Sequence, residues 1–220
     1  METLSVARGE TLARPSRTPV ATAVVGVGYV LSWVTGLLIP APSPALNAPG
    51  SAVVSALAGH RAAETTQFVL TEGLPAGGLA VVLLALAVAA RRSGAVPIGR
   101  LVTIAGVTAA VISLTQCVLG LLLAGGAEPG PAGLLFHLVG RLDGAKELML
   151  AVAAMAATAV PGLLPRWLRC LAVALSVSIA ATGVGYLTLQ AGLASLAYVS
   201  LPLLLLFISA TGITLARSGR

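Results

Sequence analysis

Apolar residues fall into six long runs separated by short polar or proline-bearing segments, and none alternates with the two-residue period of a half-buried strand. The runs cover about residues 20–39, 67–90, 101–124, 134–160, 170–189 and 193–216. Roughly 20 residues of helix cross a bilayer, so each run is a predicted transmembrane helix. The fold expected is an all-α, polytopic six-helix membrane bundle over residues 20–216, with an N-terminal arm over 1–19 and a tail over 217–220. The arm carries Arg8, Arg14 and Arg17 beside Pro15 and Pro19 and is expected to be disordered and cytoplasmic. The first run exceeds the ~7–15-residue core of a cleavable signal peptide, so it is read as an uncleaved first helix. The proline-rich segment 41–50 ends it, and residues 51–63 are expected to form a short surface helix before the second span.

One run departs from the rest. LLFHLVGRLDGAKELMLAVAAMAATAV, residues 134–160, carries His137, Arg141, Asp143, Lys146 and Glu147 in its first half and no charge in its second. An ionised side chain near the membrane centre costs about 2.5–3.5 kcal/mol on insertion scales, so such groups pair, face the bundle interior or do chemistry.

Composition narrows the class. At 57% hydrophobic and 9% charged residues, with a mean hydropathy of +1.00, the chain is too apolar for a soluble domain. A net charge of +6 would otherwise raise nucleic acid as a partner, but the basic residues sit in short turns and are not interleaved with aromatic and polar groups as a phosphate-binding face requires. The bilayer is the expected partner. Lys146 is the lone lysine among the basic residues, and Ala, Gly and Leu dominate, a usage that fits a high-GC bacterial source.

The distribution of charge predicts topology. Arg8, Arg14, Arg17, Arg91, Arg92, Arg100, Arg166, Arg169, Arg217 and Arg220 fall in segments of one side, against Arg61, Arg141 and Lys146 on the other. By the positive-inside rule both termini are cytoplasmic. Cys117 and Cys170 then lie at different depths and are read as packing residues, not as a disulfide. The turns VPIGRL and LPRWLR echo one another, which proline in a first helical turn explains without a duplication.

Counting 1.5 Å per residue from each inner boundary brings several polar or aromatic groups to a common height. Glu72, Gln116, Asp143, Glu147, Trp33, Tyr186 and Tyr198 fall roughly 20–27 Å above the inner face, in the outer third of the bilayer. The expectation is a pocket open to the outer leaflet, with Phe68 and His137 also on its wall. Glu147, Asp143 and Glu72 are the candidate acids, and Trp33, Phe68, Gln116, His137, Tyr186 and Tyr198 the candidate substrate contacts. Asp143 and Glu147 stand i,i+4 on one helical face, where like charges repel and one carboxyl is favoured to keep its proton. Arg141 and Lys146 are their charge partners, so an ion-pair network that fixes packing is an equal reading. Trp and Tyr also anchor interfacial belts on any membrane protein. Gly140 and Gly144 form a small-xxx-small step that lets a neighbouring helix approach.

Other chemistry is poorly served. His60, Glu64 and His137 lack HxxxH or HExxH spacing, so no metal is expected, and no cofactor motif occurs. GVGY at 26–29 and at 183–186 lies within apolar spans, without the strand–helix context of a nucleotide loop.

From His137 onward the order HLVG, a long apolar span, LPRWL and GVGYL resembles a family of small six-helix bacterial membrane proteins of unknown function. The resemblance implies an integral-membrane helical fold and brings no catalytic residue with it. The group Asp143, Lys146 and Glu147 has no counterpart in the family pattern.

Three functions are compatible with these residues. An acid–base enzyme acting on a lipophilic molecule would use a carboxylic acid as proton donor and aromatic faces to stabilise a cation, chemistry similar to that of small membrane terpene cyclases. A non-catalytic accessory or sensor is the alternative. A proton-coupled transporter is disfavoured by the uncharged inner half and the weak repeat.

Overall fold

The computed structural model describes residues 18–218, and the expected arm, apart from Thr18 and Pro19, lies outside them, as do the last two residues of the tail. Within them the chain forms α1 (Thr18–Leu37), α2 (Gly50–Leu57), α3 (Arg61–Phe68), a π-helical turn (Val69–Gly73), α4 (Leu74–Arg92), α5 (Val96–Ala124), α6 (Pro129–Thr158), α7 (Arg166–Leu187), α8 (Ala191–Ala194) and α9 (Ala197–Ser218). No strand occurs among the described residues.

Six long helices close into a ring in the order α1, α4, α5, α6, α7, α9 and back to α1. Sequential neighbours are antiparallel, α1 and α4 included, where Gly36 meets Thr71 and Gly78 meets Tyr29; the seam between first and last is antiparallel too, since Gly26 faces Ile208 while Gly212 faces Thr22. Glycine permits the closest crossings. A Cβ at Gly144 would collide with the Gly183 carbonyl, so the small-xxx-small step on α6 meets a matching glycine on α7. Gly106 likewise admits Leu83 of α4 against α5.

Apolar packing fills one half of the ring. Val82, Leu83, Leu86, Val102, Leu168, Leu175, Phe207, Ile208 and Leu215 are almost completely buried there. The exposed arginines Arg91, Arg92, Arg100, Arg166, Arg169 and Arg217 lie at that same end, on the last turns of α4 and α9 and the first turns of α5 and α7. At the opposite end α2 rests on the start of α6, Gly50 against Pro129 and Gly133, over a small cluster of Val53, Leu57, Leu123 and Ala132.

Five helical segments are long and apolar enough to cross a membrane: Val20–Leu37, Arg61–Arg92, Val96–Ala124, Arg166–Leu187 and Ala191–Ser218. α6 is 30 residues long, and the cluster from Arg141 to Glu147 at its centre keeps it out of that set. Helix ends lie outside the apolar runs by several residues: α5 begins at Val96 where the run begins at 101, and α6 begins at Pro129 where the run begins at 134. Proline in the first turn of each supplies a helix start that hydropathy does not register. The expected surface helix over 51–63 is two helices, α2 and α3, because the left-handed Gly59 breaks it (φ 81°).

Candidate functional site

The half of the ring away from the arginine-bearing turns encloses a cavity of about 830 Å³. Its wall draws on all six ring helices and on the connection between α1 and α2, which contributes Ser43, Pro44 and Leu46. Leu79, Leu150, Ile179 and Leu204 are cavity residues that also belong to the packed apolar half.

Lys146 organises the polar wall. Its ammonium lies 2.7 and 2.9 Å from the two carboxylate oxygens of Glu72, on the π turn, and 2.7 Å from Oδ1 of Asp143, one turn before it on α6. Lys146 and Glu72 are both more than nine-tenths buried. Ser113 on α5 donates its hydroxyl to Glu72, so this carboxylate has both a counter-ion and a neutral donor. Such completeness is what a buried ion pair needs if attraction is to offset desolvation. The network ties the π turn that leads into α4 to α5 and α6, through side chains that apolar packing could not replace one at a time.

The π turn has a part in this. A π-helical segment fits one extra residue into a helical turn, so the faces before and after it are rotated out of the common α register. Thr71 and Glu72 lie within it, both buried and both on the cavity wall. Thr71 also packs against Gly36 of α1, where a side chain would collide with its methyl group.

Gln116 extends the network. Its side-chain N–H groups donate to the Val139 carbonyl at 3.1 Å and to Asp143 Oδ1 at 3.2 Å. Both donors are thereby used on acceptors, which fixes the amide orientation and leaves Oε1 buried without a partner. Glu147, the next turn of α6 beyond Asp143, is 9% exposed, and its Oε2 is buried with no hydrogen-bond partner. Of the four charged residues on the wall, Glu72 and Asp143 are held by Lys146 and Glu147 is not.

Aromatic residues share the cavity with this polar wall. Tyr29, Trp33, Phe68, Phe136, Tyr186 and Tyr198 line it, Tyr29 and Trp33 one turn apart on α1. Tyr198 is 87% exposed and therefore stands at the rim, beside the outer surface of α9. Pro202 follows one turn later inside α9; lacking an N–H, it leaves the Tyr198 carbonyl without its usual helical donor.

The residues singled out from the sequence are thus distributed as follows. Glu72, Asp143, Glu147, Trp33, Phe68, Gln116, Tyr186 and Tyr198 line one cavity together with Lys146. His137 and Arg141 are not on its wall. The His137 ring instead lies 3.1 Å from the Ala48 carbonyl, against the connection that covers the cavity, and Arg141 is exposed. Tyr29, Ser113 and Phe136 are wall residues that the sequence reading passed over. Tyr29 ends the first GVGY and precedes Trp33 by four residues, and Ser113 precedes Gln116 by three, so helical spacing from residues already chosen was the available signal.

His60 and Glu64 lie away from the cavity, His60 against the Ala58 carbonyl, and no group of three metal-ligating side chains is gathered among the described residues. Cys117 is buried and Cys170 exposed, both as free thiols. Comparison with models of protein families, with curated proteins and with solved structures finds no match to this chain, so its likeness to the six-helix family rests on the short motifs alone.

Proposed function

We propose that the protein is a six-span enzyme of the bacterial cell membrane, with both termini cytoplasmic, and that it performs general-acid chemistry on a lipophilic molecule admitted from the outer leaflet. The observation that carries this reading is Glu147: a carboxyl group on the wall of a large aromatic cavity, unpartnered at Oε2, beside two acids already held by Lys146. α6 serves as the sixth span because its buried cation is neutralised inside the ring and Arg141 can reach toward water.

The reaction class is proton-initiated cyclisation or isomerisation of an isoprenoid. The Glu147 carboxyl gives its proton either to an alkene carbon, whose π pair forms the new C–H bond, or to an epoxide oxygen, whose C–O bond then breaks with its pair going to oxygen as a hydroxyl; each leaves a carbocation. An internal double bond closes on that centre, and loss of a proton to the Glu147 carboxylate regenerates the acid, so the product is an isomer of the substrate. Tyr29, Trp33 and Tyr186 offer ring faces to the migrating positive charge. A non-catalytic accessory or sensor is the second reading, favoured by the completeness of the Lys146 network, which would hold α4 to α6 without turnover. A carrier gains least support, since the half beyond the cavity is packed with apolar side chains.

The chemistry is tested by incubating the purified protein with isoprenoid alkenes and epoxides and seeking isomers of unchanged mass and altered retention. Topology is tested separately. A reporter fused after Arg220 should read cytoplasmic and one inserted between Gly126 and Pro129 should read external; the same side for both would remove the six-span arrangement.

A further inference from the structure

Four charged residues line the cavity, three of them carboxylic acids and one a lysine, so the wall holds more potential negative charge than Lys146 can balance. Lys146 holds Glu72 and Asp143, so Glu147 is the wall acid left without an ion pair, and its Oε2 has no hydrogen-bond partner. Glu147 is 9% exposed and on the wall, so part of this side chain meets the cavity. Glu147 offers an acceptor oxygen whether or not it carries a proton. The wall also carries Tyr29, Trp33, Phe68, Phe136, Tyr186 and Tyr198, and aromatic rings attract cations.

We infer that the cavity binds a long-chain amine in its ammonium form, with its N–H groups donating to the Glu147 carboxyl and the alkyl chain lying among the aromatic and aliphatic residues toward Tyr198. The inference rests on the reading of this cavity as a ligand site and adds the charge and donor character of what it takes. It also gives a stable counterpart to the cation that proton-initiated chemistry would form. A quaternary ammonium has the charge but no N–H, an alcohol has a donor but no charge, and a fatty acid has the wrong sign. An aminophospholipid headgroup presents the same ammonium but brings a phosphate to an acidic wall whose single cation is already engaged, so a free amine is the better match.

Trp33 makes the test direct, because the chain has two tryptophans and the other, Trp167, is exposed at the arginine-bearing end, far from the cavity. In the Trp167→Phe protein, reconstituted in phosphatidylcholine nanodiscs, Trp33 emission is followed while dodecylamine, dodecyltrimethylammonium, dodecanol or dodecanoate is added. Saturable change is expected with dodecylamine at a concentration at least ~10-fold below the other three, the scale of a charge-assisted hydrogen bond. Glu147→Gln, which removes the charge, should weaken that binding by ~10-fold or more, and Glu147→Ala, which removes the acceptor as well, at least as much; the near-isosteric Gln variant covers the case in which the Ala variant fails to fold. Equal response to amine and alcohol, or tighter binding of dodecanoate, would overturn the inference. Repeating the series with phosphatidylethanolamine in the disc separates the sources: undiminished dodecylamine binding supports a free amine, and competition by the lipid would overturn that choice. Selective amine binding without isomerase activity would remove the proposed chemistry and keep the site, whereas isomerisation without amine selectivity would remove only the present inference.

Discussion

Replacing Lys146 with methionine is expected to be the most destabilising single change in the cavity wall. The substitution keeps an unbranched side chain of similar length but removes the ammonium that stands 2.7 Å from both Glu72 and Asp143. Removing one partner of a buried ion pair typically costs about 3–5 kcal/mol, because the charge left behind has neither water nor a counter-ion. Two carboxylates remain here, on α4's side and on α6, and they would repel each other across the helix contact that Lys146 now holds together. Thermal unfolding in detergent should show a large fall in melting temperature for Lys146→Met. Adding Glu72→Gln to it should restore much of the loss, since the double change removes a charge of each sign. A single variant that melts with the parent would mean that the network contributes little to the fold.

Glu147→Gln is expected to behave in the opposite way. The amide nearly preserves volume, and Glu147 has no ion pair to break, so the melting temperature should stay close to that of the parent. Isoprenoid turnover should fall by at least ~10²-fold, the low end for loss of a general acid. Lost stability would assign the residue to packing, and full turnover in the variant would remove its proposed role. Considered together, the two substitutions divide the cluster into a structural half around Lys146 and a chemical half at Glu147.

Much of this architecture could be read from the chain, and the limits have physical causes. Long apolar runs identify the ring helices, because a helix facing lipid on one side and packed helices on the other is apolar nearly all round. The common height of Glu72, Gln116, Asp143, Glu147 and Tyr186 follows from a fixed rise per residue, and all five line the cavity. Pairing was harder to read. Spacing alone offered Arg141 and Lys146 equally as partners for the acids of α6. Which one turns inward depends on the rotation of α6 against α4 and α5, set by contacts such as Gly144 against Gly183. Glu72 falls within the second apolar run, 67–90, which predicts a regular helix. The π turn that carries it has no hydropathy signature, so its approach to Lys146 was not visible in the 3.6-residue period. His137 is expected on the wall only from its place in the charged half of α6; that place does not say whether a ring faces the cavity or the Ala48 carbonyl.

The central claim is that Glu147 is the free acid of the cavity while Glu72 and Asp143 are committed to Lys146. A hydrophobic carbodiimide tests this most directly, because it enters apolar sites and adds to a protonated carboxyl group, and its rearranged acylurea is stable enough to map by mass spectrometry. The account predicts modification at Glu147, absent in Glu147→Gln, with Glu72 and Asp143 left untouched. Modification of Glu72 or Asp143 with Glu147 unmodified would contradict it.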